Sequence, residues 1–201
     1  MFTIEINTNK DMIMFARENQ KAMLMIMNAT TDYASARCLL LNGLFPGLVL
    51  GAQAVEKYLK GSILFLDKNK DTRKLSHGLV DLKNELQKLS GLHLEKFNPF
   101  LERLEKHYLT RYPDNKDSSK SMSTGEIREI DELIIFLNES LSVRNEIKFR
   151  SGLYVQIFDE SSAGRSKNVW LTKSNLALNN IYSRLHAEYK VVYEKLYSQK
   201  S

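Results

Sequence analysis

Residues 46–67 read PGLVLGAQAVEKYLKGSILFLD, and this stretch decides the fold. Pro46 suits a first helical turn, where its missing N–H costs nothing and its fixed φ fits. Leu48, Ala52, Val55, Leu59, Ile63 and Leu66 then recur at steps of three and four, one apolar stripe along a helix. Gln53, Glu56, Lys57 and Lys60 gather on another side at the same spacing. The spacing predicts a helix with one buried face and a compact polar patch, near the middle of a helical protein.

Working outward, other segments repeat this grammar. DYASARCLLLNGLF carries Tyr33, Ala36 and Leu40 as a stripe that Gly43 ends. Upstream, Asp11 is placed to cap a helix through Met12, Phe15, Ala16, Met23 and Met27, which either breaks or continues across residues 28–32. FTIEI, residues 2–6, alternates like a short strand. Six of the seven methionines lie in the first 27 residues, as gap-filling core, a dimer contact or an adaptable binding face. Downstream of the charged loop DKNKDTRK, Ser76 reads as an N-cap with Leu75 and Val80 as a hydrophobic staple. Leu79, Leu82, Leu86 and Leu89 follow as a seam that Gly91 closes. Asn98-Pro99 opens a helix bearing Leu101, Leu104 and Tyr108. Pro113 biases Tyr112 away from helical angles, so TRYPD leaves that helix. After the polar loop NKDSSKSMS, Ser123 with Glu126 reads as a capping box for a helix bearing Ile127, Ile130, Ile134, Leu137 and Leu141. The next position on that face is Arg144, which either meets a carboxylate, Glu56 being the candidate, or reaches water at the bundle's end.

Beyond Gly152 the pattern changes. Residues 153–158 and 169–172 read as strands of a small β-hairpin around DESSAGRSK. A long helix from Ser174 then carries Leu178, Ile181, Leu185, Tyr189, Val192 and Leu196. The expected organisation is a bundle with its N-terminal helix over 1–150 and an extension over 151–201 packed on it.

Composition narrows the function classes. The 201 residues are 43% hydrophobic and 26% charged with three prolines, which argues against wholesale disorder. The longest fully apolar runs fall far short of the roughly 20 residues a membrane helix needs, and the N-terminus lacks a secretory pattern, so a cytoplasmic protein without membrane attachment is expected. Cys38 has no partner for an internal disulfide and reads as a small buried hydrophobe. The net charge of +5 lies entirely in residues 165–201, which hold seven basic and two acidic side chains. That tail suits RNA, another polyanion or an acidic protein, or is a solvated face. His77, His93, His107 and His186 lack zinc-site spacing, and neither phosphate-loop glycines nor a nucleophile elbow occurs. No metal and no cofactor are expected. Asp131–Glu132 reads as a solvent-facing pair.

Three features in order, AVEKYLKG (54–61), SHGL (76–79) and TRYPD (110–114), resemble the prokaryotic HEPN family (higher eukaryotes and prokaryotes nucleotide-binding), with the likeness spanning about residues 30–146. The resemblance implies an all-α up-and-down bundle of four to five helices, usually a homodimer. It also implies a role near nucleotides, RNA or a nucleotidyltransferase partner, often in toxin–antitoxin, defence or stress systems. Many relatives are metal-independent ribonucleases using an arginine, often followed by a polar residue, and a histidine four to six residues on. Arg144-Asn145 matches the first part, and residues 149–151 hold no histidine. Gly78 stands where relatives often carry aspartate. The leading expectation is a binding module whose site gathers Glu56, Lys60, Arg111, Asp114, Arg144 and Asn145, with Arg111 suited to hold a phosphate bidentately. The alternatives are a ribonuclease with a non-standard site drawn from His107, Arg111 and Arg144, and a pure protein-interaction module.

Overall fold

The computed structural model describes residues 19–109, 124–140, 152–158 and 165–197. Nine α-helices and two short 3₁₀ turns make up the regular structure of these residues, and none of them forms a strand. FTIEI, the Asp11 cap, TRYPD, the 115–122 loop, Ser123, Arg144 and Asn145 lie outside the described residues.

Helix α1 (Gln20–Leu41) runs unbroken through residues 28–32. Gly43, at φ +72°, turns the chain, and α2 (Pro46–Leu66) returns antiparallel with Pro46 in its first turn. Leu48, Ala52, Val55, Leu59 and Ile63 are buried as their spacing predicts, whereas Leu66, at the helix end, is 43% exposed. Three α2 glycines bring the helices close. A Cβ at Gly47 would lie 2.7 Å from Leu40 Cγ and 2.9 Å from the Ala36 carbonyl oxygen; at Gly51 and Gly61 it would meet Ile130 and Ile26. Only the Gly47 clash involves backbone that cannot swing away. Gly47→Ala is therefore expected to cost about 1–3 kcal/mol by overpacking, despite alanine's better helix propensity. Urea unfolding reads this directly, and a variant more stable than the parent would refute the close approach.

Helix α3 (Leu79–Ser90) and α4 (Asn98–Leu109) pack on α2 and on each other, and α5 (Thr124–Ser140) packs on α2 as well. The central position expected of residues 46–67 is thus observed. Gly91 closes α3 in the left-handed conformation, as its seam predicts. Leu89 is 39% exposed and stands outside that seam's buried part. The start of α3 differs from expectation: the cap position is Gly78, and Ser76 instead accepts the Gly78 N–H at 2.9 Å and donates to Asp81 Oδ2 at 3.0 Å.

The C-terminal region corrects two expectations. Residues 153–158 and 165–172 are helices, α6 (Leu153–Phe158) and α7 (Arg165–Thr172), not a hairpin. In α6 the buried side chains are Leu153, Tyr154, Ile157 and Phe158, a helical spacing that a strand would split between two faces. Gly152, at φ +133°, lets this turn begin against α1, where a Cβ would lie 3.0 Å from Thr30 Oγ1. The long terminal helix is two helices, α8 (Leu176–Asn179) and α9 (Tyr182–Tyr197). Asn175 caps α8 by accepting Leu178 N–H at 3.0 Å, and Ile181 N–H tightens onto the Leu178 carbonyl instead of continuing the α ladder. Leu178, Leu185 and Val192 still share one side and are buried. They belong with Leu153, Tyr154 and Leu171 to the same apolar cluster as Tyr58, Leu59 and Ile134.

Candidate functional site

Two described candidate residues meet where α2, α3 and α4 converge. Glu56 and Lys60 lie one turn apart on α2, and Lys60 Nζ donates to Glu56 Oε1 at 2.8 Å. His77 Nδ1 lies 2.9 Å from the same carboxylate oxygen. Lys60 and Glu56 are largely enclosed, while the His77 side chain is 78% exposed. A cationic ammonium is thereby held under the surface with an imidazole above it, both aimed at one oxygen. Chemically, the group offers Lys60 as a point charge and His77 as an adjustable donor beside one carboxylate acceptor. Lys57, on the flank, donates to Asp32 of α1 at 2.5 Å and belongs to the helix hairpin.

The α3 start is not a phosphate nest. The Glu105 carboxylate, from α4, accepts the Leu79 N–H, and Asp81 adds a second acid to the first turn. These two acids suit the positive end of the helix dipole and oppose an incoming anion. A Cβ at Gly78 would lie 3.0 Å from Asp81 Oδ2 and 3.1 Å from Glu105 Oε1. The acceptor that an aspartate at this position would bring arrives from Glu105 instead, and glycine leaves room for it.

His107 is held elsewhere. Its Nε2 lies 2.7 Å from Glu126 Oε1, with the ring edge-on to Phe45 at 5.8 Å. Glu126 is buried, and His107 reaches it across the helix pair. A carboxylate-oriented imidazole is an arrangement suited to general acid–base work. Arg111, Asp114, Arg144 and Asn145 lie outside the described residues, so Glu56 and Lys60 are the binding candidates that the described residues bring together. Among the described residues no group of three or more His, Cys, Asp or Glu side chains is arranged to hold a metal.

Sequence reasoning missed a buried polar network. Asp131, expected in solvent beside Glu132, is 2% exposed, and Arg37 is fully buried. Arg37 Nη1 pairs with Asp131 Oδ2, and Tyr33 O–H donates to Asp131 Oδ1 at 2.6 Å. Arg37 Nε donates to the Trp170 carbonyl at 2.6 Å, and Nη2 to the Lys173 carbonyl. Asn175 Nδ2 donates to Tyr33 Oη and to the Leu171 carbonyl, both at 3.0 Å. The carbonyls left over at the end of α7 are in this way taken by Arg37, Asn175 and the following backbone. Burial raises the Tyr33 hydroxyl well above its ordinary value, with the Asp131 charge adding to the effect. Burial also raises the Asp131 carboxyl, against the pull of Arg37 and Tyr33. The signal available in the sequence was spacing: Arg37 follows Tyr33 by four, and Asp131 precedes Ile134 by three and follows Ile127 by four. Nearby, Tyr58 donates to Thr30 Oγ1 at 2.7 Å, since the Thr30 hydroxyl proton goes to the Ile26 carbonyl, and burial pushes the phenol up to about 12. Cys38 is half-buried rather than enclosed. Of the tail's basic groups, Arg184 is paired with both Glu139 and Glu188, and Lys173 lies over the Trp170 ring. No described helix is long and apolar enough to cross a membrane.

A family model described as HEPN domain matches residues 22–149, from α1 through α5 and beyond. No curated protein and no solved structure matches the chain.

Proposed function

The chain belongs to the HEPN domain family, and on that premise we propose that it is a binding module for RNA or a nucleotide, without the family's usual Arg/His ribonuclease pair. The family points coarsely to a nucleotide- or RNA-related role, often in toxin–antitoxin or defence settings. The observation that supports the finer reading is the Glu56–Lys60–His77 group, an enclosed ammonium and an exposed imidazole sharing one carboxylate oxygen. Arg111, Arg144 and Asn145 are proposed to complete the phosphate contacts, with Asp114 beside them in the same site. A homodimer and a nucleotidyltransferase-type partner belong to the same proposal.

The test is a titration of the purified chain into end-labelled RNA without metal, at low and moderate salt, reading both shift and cleavage. A shift that weakens with salt and is not accompanied by cleavage is expected, because phosphate contacts weaken as salt rises. Lys60→Met is expected to weaken binding about tenfold, the loss of roughly one charge-assisted contact. Cleavage that survives repurification and disappears in Arg144→Ala would overturn the non-catalytic reading. Neither shift nor cleavage would move the assignment to a protein partner.

The His107–Glu126 contact favours a second reading, a ribonuclease whose imidazole is oriented by a carboxylate. His107→Ala would then abolish cleavage while RNA binding persists. A chain that shows no cleavage in the first place sinks this alternative.

A further inference from the structure

Outside the matched residues, α9 carries Tyr182, His186 and Tyr189 at steps of four and three, on one side of the helix. Their rings surround Phe158 of α6, whose centroid lies 5.2 Å from Tyr182, 5.5 Å from His186 and 5.4 Å from Tyr189. Phe158 is 7% exposed and forms the floor, whereas Tyr182 is 37% exposed and His186 and Tyr189 are half-buried. The Tyr182 and His186 rings are nearly parallel, at 17°, with centroids 6.0 Å apart. Lys190 is exposed one turn beyond His186 on the same side. The neighbouring acid, Glu188, is tied to Arg184 at 2.8 Å and projects to a different side of the helix. Residues 165–201 hold seven basic side chains against two acidic ones.

We infer that this aromatic ladder is a stacking platform for single-stranded RNA, a second contact surface outside the family domain. The inference rests on the RNA reading above and adds to it a place and a strand preference. Aromatic faces accept any base, and Lys190 beside them offers a cation to a phosphate, the combination that single-strand binders use. Duplex RNA, with its bases stacked inside, offers the ladder nothing to stack on.

The experiment uses the full chain and a fluorescein-labelled oligouridylate, alone or annealed to oligoadenylate, with anisotropy read at two salt concentrations. The parent is expected to prefer the single strand. Tyr182→Ala is expected to weaken single-strand binding about tenfold, while Tyr182→Phe retains it. Lys190→Glu is expected to weaken binding and flatten the salt dependence. Circular dichroism confirms that each variant is folded, and Lys190, exposed on the surface, provides a substitution with little structural reach. If the parent binds RNA, Lys60→Met weakens it, and Tyr182→Ala and Lys190→Glu both stay within twofold, the ladder is overturned and the binding module stands. If the parent binds neither strand form, both fail. Loss of self-association in Tyr182→Ala by sedimentation, with RNA affinity unchanged, would assign the ladder to a protein contact and overturn the inference.

Discussion

Arg37→Ala is expected to lower stability by about 3–5 kcal/mol, the usual cost of removing one partner from a buried ion pair. The guanidinium is fully enclosed and serves three acceptors, the Asp131 carboxylate and the Trp170 and Lys173 carbonyls. Its loss leaves a buried carboxylate with Tyr33 as its remaining described donor and two carbonyls at a helix end without their donor. Each unsatisfied buried group costs on the order of 1–3 kcal/mol. Arg37→Lys is expected to recover only part of this, since a single ammonium cannot span acceptors that a planar fork reaches together. The informative variant is the double replacement Arg37→Met with Asp131→Leu. Removing both charges removes the desolvation cost as well, so the double variant is expected to be more stable than Arg37→Ala alone. Urea unfolding of the four chains settles the question. A loss below about 1 kcal/mol for Arg37→Ala would mean that water enters the site and that the pair is not enclosed.

How much of this was legible depended on whether neighbours along the chain, or only neighbours in space, set each element. Helix α2 was legible to its ends because Pro46 and an uninterrupted stripe lie within its own residues. Gly91 worked in the same way, since a left-handed helix end is a local requirement. The α3 start was misplaced by two residues because its deciding acceptor, Glu105, lies on another helix and gives no local mark. Residues 153–158 misled because Val155 and Ile157 favour strands locally, while the packing that overrides them places Tyr154 and Phe158 inward. The expectation of a solvated Asp131 follows from the rarity of enclosed carboxylates. The arginine that reverses that expectation is 94 positions away along the chain. The candidate site was legible only in part. Glu56 and Lys60 follow from helical spacing, but nothing local marks His77 as their neighbour, because its contact to Glu56 spans 21 positions.

Ending the chain after residue 150 is expected to abolish cooperative folding, although the family match itself ends at 149. The lost segment holds Leu153, Tyr154, Ile157, Phe158, Leu171, Leu178, Leu185 and Val192, all members of the cluster around Tyr58 and Leu59. Burying a large apolar side chain contributes about 1.5–3 kcal/mol, and a domain's whole margin is about 5–15 kcal/mol. The loss of several such side chains can therefore exceed the margin even after the released chain entropy is counted. The truncation also strips Arg37 of both backbone acceptors and Tyr33 of Asn175. Thermal unfolding followed by near-ultraviolet circular dichroism should show a sharp transition for the full chain and none for residues 1–150. The double variant Arg37→Met, Asp131→Leu in the truncated chain separates the two causes. If it restores a cooperative transition, the orphaned charge was responsible; if it does not, the missing apolar surface was. A truncated chain that melts cooperatively within a few degrees of the full one would show that α6–α9 are dispensable to the bundle. Deletions in this region also cannot serve as clean tests of a binding tail, because removing residues 165–201 takes away acceptors on which the family domain's own buried arginine depends.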